Sequence, residues 1–146
     1  MLRGSYPAKI DDRGRLKLPT AFKSVVEDQH GTGLYLTSLN GESVRIYPMP
    51  VWAGIEERLS RVPSELPARR RFLDTVNYYG QQSEYDAQGR VLIPARLRES
   101  AGIAGEVDVF GQLLYLEVWN HERFLAKIAR DPFSDDDARA LAEYGI

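Results

Sequence analysis

A short pattern that occurs twice constrains this chain more than any other feature of its sequence. The stretch KIDDRGRLKLP at residues 9–19 returns as EYDAQGRVLIP at residues 84–94, at an offset of 75 residues. Farther along, IYPMPVW at residues 46–52 matches VWNHERF at residues 118–124, at an offset of 72. Because a repeat within a sequence indicates a repeated structural unit, the sequence predicts one unit that occurs twice in the fold.

Each copy of the first pattern has the features of a β-hairpin. In the first copy, apolar and basic residues alternate before and after the glycine, which is the period of a β-strand. Asp11 can accept hydrogen bonds from the amides of the turn, and Gly14 permits a backbone angle that a side chain opposes. Pro19 and Pro94 end the second strand and suit the first turn of a helix.

The predicted unit continues after each proline with one helix and two strands. The helices are expected in TAFKSVVEDQ and ARLRESAG, where Gly102 is a C-cap, and the strands in GLYLTSL, SVRIYP, EVDVFG and LLYLEVW. The element order is therefore β-β-α-β-β in both halves. A half of roughly 70 residues buries too little surface to be stable alone, so the two halves are expected to close one shared barrel.

Helical segments are expected to follow each unit. We predict four consecutive regions: a first repeat in residues 1–50, inter-repeat helices in 51–79, a second repeat in 80–125 and an acidic helical tail in 126–146. Ser134 is a typical N-cap for the tail helix. Trp52 and Trp119 are interpreted as core residues at equivalent positions near the start of a helix, not as surfaces on which bases stack.

Composition and charge narrow the possible functions. The 146 residues are 43% hydrophobic and include no cysteine, which excludes a disulfide framework, a thiol nucleophile and a cysteine-ligated zinc site. No apolar stretch has the length of a membrane span or of a signal peptide, so a cytoplasmic protein is expected. The net charge is −2, but residues 1–23 carry +4 and residues 131–146 carry −4. The basic N-terminal segment is compatible with a nucleic-acid partner.

The duplicated pattern resembles the MraZ family, bacterial transcriptional regulators built from two SpoVT-AbrB domains. The resemblance rests on IDDRGRLKLP and YDAQGRVLIP at fixed spacing and on the opening RGSYPAKID, and it covers nearly the whole chain. It implies an α+β, mainly β fold, in which two β-β-α-β-β pseudo-repeats form a swapped-hairpin β-barrel with flanking helices. It also implies a ring-shaped homo-oligomer, associated with the nucleoid, that binds short direct repeats in double-stranded promoter DNA of the division and cell-wall gene cluster and represses its own operon.

The resemblance makes the Asp-x-x-x-Arg motif the element that contacts DNA. Carried onto this chain, it assigns Asp11 and Arg15 in the first copy and Asp86 and Arg90 in the second. Arg15 is the expected base-reading residue, because an arginine can donate two hydrogen bonds to O6 and N7 of guanine. The alternative is that Asp11 and Arg15 form an ion pair that only closes the hairpin.

Further basic residues are expected to position the DNA without reading its sequence. Lys9, Lys17 and Arg3 are predicted to contact phosphates, and Arg13 is clustered beside them. The second turn has Gln88 at the position of Arg13, so it is the less basic of the two turns.

Two other classes of function remain open at this point. An enzyme could use Asp11 and Asp86 as a carboxylate pair, but the neighbouring arginines favour ionised carboxylates, and the two histidines lack metal-ligand spacing. No catalytic residue, metal, cofactor or small-molecule substrate is therefore expected. A ring-forming scaffold that binds other proteins is the second alternative, and salt-dependent DNA binding would distinguish a regulator from it.

Overall fold

The computed structural model describes residues 1–146 and contains eight strands and six helices. The first half comprises β1 (Ser5–Ile10), β2 (Arg15–Lys17), α1 (Thr20–His30), β3 (Gly33–Thr37), β4 (Val44–Pro48), α2 (Met49–Leu59) and α3 (Pro67–Tyr78). The second half comprises β5 (Gln81–Glu84), β6 (Arg90–Leu92), α4 (Ala95–Ala101), β7 (Gly105–Gly111), β8 (Leu116–Asn120), α5 (His121–Arg130) and α6 (Asp135–Ala142). The predicted β-β-α-β-β order is confirmed in both halves.

The eight strands form one antiparallel sheet in which the two halves interleave. The strand order is β5-β3-β4-β8-β7-β1-β2-β6. Strand β1 pairs with β7 of the other half from Ser5↔Phe110 to Ile10↔Gly105, and β5 pairs with β3 in the same way. Each hairpin therefore joins the strands of the opposite half. The sheet curls into a nearly closed barrel, and the predicted α+β, mainly β class with swapped hairpins is confirmed.

The two hairpins meet at the pseudo-twofold axis that relates the halves. Strands β2 and β6 pair antiparallel there. Just beyond them, the Leu18 N–H donates to the Gly89 carbonyl at 3.2 Å, and the Ile93 N–H donates to the Gly14 carbonyl at 2.9 Å. These are the same hydrogen bond made twice, in opposite directions, and each connects a glycine turn to the other half.

The core of the barrel is built from both halves. Nineteen buried apolar residues form one cluster, which includes Leu16 and Leu18 from the first half and Val91 and Ile93 from the second. All four side chains are at most 2% exposed. Burial of an aliphatic side chain of this size contributes about 1.5–3 kcal/mol. Each half depends on the other for this burial, because removal of either half would leave the other with an exposed apolar face.

Helices α2 and α3 cover one side of the sheet with a second, aromatic cluster. Tyr47, Trp52 and Val76 are buried in it, and the rings of Tyr35 and Trp52 are stacked with their centroids 4.5 Å apart.

The structure corrects the predicted equivalence of the two tryptophans. Both are buried, as predicted for core residues, but Trp52 lies on α2 and Trp119 on β8. The offset of 72 residues matches Trp52 with Phe124 and Trp119 with Tyr47. Each half carries one tryptophan near the junction of a strand and a helix, but Trp52 follows that junction and Trp119 precedes it.

The predicted strand LLYLEVW begins too early. Leu113 and Leu114 lie in the turn before β8, and Leu113 has a positive φ of 68°. Leu113 exchanges two backbone hydrogen bonds with Leu2, at 2.8 and 3.0 Å, which hold this conformation. The equivalent residue in the first half is Gly41, whose φ is 76°.

The caps predicted in the second half are confirmed. Gly102 ends α4 in the left-handed conformation, and the Ser134 side chain accepts a hydrogen bond from the Asp137 N–H while Asp137 accepts one from the Ser134 N–H. Neither α5 nor α6 contains a buried residue. The tail is therefore helical but contributes little to the core.

Candidate nucleic-acid interface

Both Asp-x-x-Gly-Arg segments form tight turns that are closed by their aspartates. In the first turn, Asp11 Oδ1 accepts hydrogen bonds from the backbone N–H groups of Arg13 and Arg15, both at 2.9 Å. Asp86 Oδ1 accepts from the two equivalent amides of the second turn, also at 2.9 Å. The predicted role of the aspartates as acceptors for turn amides is confirmed, and the two turns share one backbone geometry.

The glycine of each turn is required twice, by its backbone angle and by its neighbour. Gly14 has a φ of 83° and Gly89 a φ of 74°, which side chains oppose. The guanidinium of Arg98 packs directly on Gly14, and Lys23 Cδ lies 3.0 Å from the position that a Cβ on Gly89 would take. Each turn is thus supported by the helix of the opposite half.

Lys23 and Arg98 belong to this support, although neither is among the residues predicted for the site. Lys23 lies on α1, Arg98 lies on α4, and 75 residues separate them, as in the repeat. This offset is the signal that could have identified both. What the sequence does not show is that each helix lies under the turn of the other half.

The strands that follow the two turns present charged residues on their outer face. In the register of β2 and β6, Arg15 lies opposite Leu92 and Lys17 opposite Arg90. Lys9 on β1 is exposed on the same face, because side chains at alternate positions of a strand point to the same side of the sheet. The predicted alternation of a basic and an apolar face is confirmed for the first hairpin, whereas the outer face of β6 carries Arg90 and the exposed Leu92.

Arg90 is the arginine that forms ion pairs at this site. Its Nε lies 3.1 Å from Asp86 Oδ2 of its own turn, and its Nη1 lies 3.9 Å from Asp11 Oδ2 of the other turn. The Arg15 guanidinium forms no ion pair and donates no hydrogen bond within the chain. Asp11 therefore closes the first hairpin through the Arg15 backbone amide and forms no ion pair with the Arg15 guanidinium.

The surroundings of the two aspartates hold both of them ionised. The pKa of Asp11 is lowered, mainly because the Arg15 N–H donates to it, with smaller contributions from the charges of Arg15 and Arg90. The pKa of Asp86 is lowered chiefly by the hydrogen bond from the Arg90 N–H. General acid–base catalysis by a carboxylate pair needs one group with a raised pKa, which this pair lacks.

The two turns face one open groove. Its lining combines basic and acidic side chains from both halves: Arg13, Arg15, Ser83, Glu84, Asp86, Arg90 and Leu92.

The structure brings together all the predicted site residues except one. Those around the two turns are Lys9, Asp11, Arg13, Arg15, Lys17, Asp86 and Arg90. Arg3 precedes β1, whereas the first turn follows it, and a six-residue strand is about 20 Å long. Arg3 therefore lies at the opposite end of the strand from the turn.

Other kinds of site find little support in the side chains. No group of three or more histidine, aspartate and glutamate residues is placed to hold a metal ion. His121 Nδ1 lies 2.7 Å from Asp108 Oδ2 at the start of α5, which is a pairwise contact. None of the six helices combines the length and the apolar composition that crossing a membrane requires.

The chain is similar to proteins that carry one common name. Residues 80–143 match the family model described as "MraZ protein, putative antitoxin-like". A protein of Acidobacterium capsulatum named transcriptional regulator MraZ is 48% identical over 146 residues, which is 100% of both chains. A protein of the same name from Koribacter versatilis is 47% identical over 147 residues, again 100% of both chains. Another, from Serratia proteamaculans, is 31% identical over 132 residues, which is 90% of this chain and 87% of that protein.

Proposed function

Because this chain belongs to the MraZ family of transcriptional regulators, we propose that it binds promoter DNA sequence-specifically through its first Asp-x-x-Gly-Arg turn. The observation that carries the proposal is the state of Arg15. Its guanidinium has no partner within the chain, while its backbone is fixed by Asp11 and by the pairing of β2 with β6. A free guanidinium on a rigid turn is suited to donate two hydrogen bonds to a guanine in the major groove.

The residues around Arg15 have complementary roles in this proposal. Lys9, Lys17 and Arg13 contact phosphates, which fixes the register of the protein on the duplex without reading bases. Asp11 keeps the turn in shape. Arg3 enters only as a contact to a more distant phosphate, since it lies at the other end of β1.

The second turn belongs to the proposed site through Asp86 and Arg90. Both line the groove that they share with Arg13 and Arg15. The proposal thus includes both turns, with Arg15 as the base-reading residue.

We further propose that several copies form a ring that binds short direct repeats. One basic face gives modest affinity, but a ring presents several faces at fixed spacing, so later repeats bind at high effective concentration. A ring needs two different contact surfaces on each subunit. Two separate sets of exposed apolar residues support this: one contains Leu113 and Leu114, 58% and 51% exposed, and the other contains Phe133 and Tyr144, 71% and 77% exposed.

Repression follows in this proposal from occlusion of a promoter. The ring covers direct repeats upstream of its own operon, in the division and cell-wall gene cluster, and RNA polymerase cannot occupy the same segment. The protein then acts in the cytoplasm, at the nucleoid.

The test is fluorescence anisotropy with a duplex from upstream of the protein's own gene and a shuffled duplex, at about 50 mM and about 200 mM salt. The native chain should prefer the native duplex, and Arg15→Ala should abolish that preference. Arg130→Ala is the matched control, because Arg130 is an exposed, unpaired arginine at the end of α5 and its loss should leave the preference intact.

The outcomes separate the candidate functions. Equal, weak binding to both duplexes that is indifferent to Arg15 would contradict sequence-specific regulation. If light scattering still showed a closed oligomer, that result would favour the ring-forming scaffold, for which the exposed apolar residues are the supporting observation.

A further inference from the structure

Resting on the proposed DNA-binding function, we infer that the two turns have different roles. The first turn contacts DNA. The second turn is a brace, in which Arg90 is a positioning residue that holds the carboxylates of both turns and does not touch DNA.

The geometry of Arg90 carries this inference. Its Nε and Nη1 face Asp86 and Asp11, at 3.1 and 3.9 Å, so one guanidinium links the second turn to the first. A planar guanidinium with several fixed donors can do this, whereas a single ammonium group cannot bridge two carboxylates in the same manner. Only 30% of the Arg90 side chain is exposed. Arg90 therefore already donates one hydrogen bond within the protein, to Asp86, and lies at ion-pair distance from Asp11.

The register of β2 and β6 explains why Arg90 and Arg15 differ. Arg90 lies directly opposite Lys17, and two like charges at this position repel each other. The carboxylates of Asp11 and Asp86 compensate that repulsion. Arg15 lies opposite Leu92, which carries no charge, and the Arg15 guanidinium forms no ion pair.

The charges at matched positions of the two hairpins point in the same direction. Lys9, Arg13 and Lys17 of the first hairpin correspond at an offset of 75 to Glu84, Gln88 and Leu92 of the second. Residues 9–17 therefore carry a net charge of +2 and residues 84–92 a net charge of −1.

A phosphate backbone is attracted by the first hairpin and not by the second. Glu84 also lines the shared groove, where it would repel a phosphate. Each chain thus offers one DNA-contacting turn, although its backbone contains two.

The inference is tested by the salt dependence of DNA binding in Arg15→Ala, Arg90→Ala and Arg90→Lys variants. The slope of log affinity against log salt counts the phosphates that are neutralised, at about 0.9 per phosphate. Arg13→Ala is included as the reference for a lost phosphate contact and should lower the slope by about 1.

The brace predicts a distinctive pattern for Arg90. Arg90→Ala should weaken binding about three- to tenfold, because Asp11 loses one of the two arginine charges that offset its own near the DNA, with the salt slope unchanged. Arg90→Lys should behave like Arg90→Ala. Adding Asp11→Asn to Arg90→Ala should recover part of the affinity, since the uncompensated charge is removed while an oxygen remains to accept the turn amides. A slope lowered by about 1 in Arg90→Ala and restored in Arg90→Lys would overturn the brace and make Arg90 a phosphate contact.

A readout without DNA separates this inference from the proposed function. If Arg90 neutralises Asp11, NMR titration should show a higher carboxyl pKa for Asp11 in Arg90→Ala than in the native chain. Arg130→Ala should leave that pKa unchanged. An unaltered Asp11 pKa in Arg90→Ala would overturn the brace, whatever the DNA experiments show. A raised pKa in a chain that binds no DNA would overturn the proposed function alone.

Discussion

The helices that follow the two halves of the barrel take the same place in the repeat and do different things. After the first half, α2 and α3 bury Trp52 and Val76 against Tyr47. After the second half, α5 packs Phe124 against Phe110, with their ring centroids 4.3 Å apart, and neither α5 nor α6 contains a buried residue. The two halves therefore resemble each other more in the order of their helices than in how much those helices bury.

This difference shows where a duplicated fold is free to diverge. Positions at the pseudo-twofold axis keep their residue types, because both halves need the same turn and the same buried strand there. Positions that face outward can change their role once one copy suffices. The matched pairs of residues in the two halves allow this comparison to be tested.

The largest effect is expected at the matched pair Trp52 and Phe124. Trp52→Ala should lower the free energy of unfolding by about 3–5 kcal/mol, because it empties a buried aromatic cluster. Phe124→Ala should cost only about 1–2 kcal/mol, since Phe124 is half-buried. Urea unfolding followed by tryptophan fluorescence for Phe124→Ala, and by circular dichroism for both, measures the two values. Equal losses would mean that the trailing helices are equivalent after all.

The next largest effect is expected at the two turn glycines. Gly14→Ala should destabilise the chain by about 2 kcal/mol, since it combines a strained backbone with displacement of the Arg98 guanidinium. Gly89→Ala should cost about 1 kcal/mol, because the atoms it meets belong to the flexible stem of Lys23. Thermal unfolding of both variants gives the order, and a larger loss for Gly89→Ala would show that Lys23 is the more rigid support.

A small gain is expected at the β7–β8 turn. Leu113→Gly should stabilise the chain by about 0.5–1 kcal/mol, because Leu113 adopts the positive φ that Gly41 adopts in the first half. Leu114→Gly is the control, since Leu114 lies in the same turn without a positive φ and should bring no gain. The denaturant midpoints of both variants measure these changes. Destabilisation by Leu113→Gly would show that the contacts of the Leu113 side chain stabilise the chain by more than its positive φ costs.

The smallest effect concerns pH and exists only in the second half. The hydrogen bond and the charge of Asp108 raise the pKa of His121, and Glu106 and Glu122 act in the same direction. The stabilisation is fully present below the ordinary histidine pKa of 6.5 and is lost as pH rises through the higher folded value.

The native chain should therefore lose slightly more stability than a His121→Gln variant between about pH 6 and about pH 8. Met49 is the equivalent residue in the first half and cannot titrate. Denaturant unfolding at both pH values measures the difference, and identical pH profiles would contradict a role for the His121–Asp108 pair.

Much of the fold could be predicted because its determinants are local. Alternating residues around Asp11 and Gly14 specify a hairpin, the prolines specify its end, and repetition of the pattern specifies two such units. The same local signals selected the residues around both turns. The strand at LLYLEVW was predicted too long because a leucine at position 113 does not indicate a positive φ. At the equivalent position in the first half, Gly41 is a glycine, which does favour this conformation.

The ion pairs of the site could not be predicted because they depend on which strands meet. Whether Arg90 binds Asp86 alone or also Asp11 is decided by the pairing of β2 with β6, which joins residues about 75 positions apart. Spacing within one turn suggested an Asp11–Arg15 pair, since the distance along the chain is the same in both copies. The residue across the sheet, Lys17 for Arg90 and Leu92 for Arg15, breaks that symmetry.

The reciprocal hydrogen bonds at the pseudo-twofold axis have a consequence for the time at which the protein becomes active. They join Leu18 to Gly89 and Ile93 to Gly14, so each turn is completed by a residue from the other half. A hairpin can form locally within microseconds, but closure of the barrel must wait for contacts that are distant in sequence, which slows folding. During synthesis the first hairpin emerges without β6 and β7, its partners in the sheet. A partly made chain therefore has the sequence of the DNA-contacting turn without the rigid turn itself, and it should not bind DNA before its second half has been synthesised.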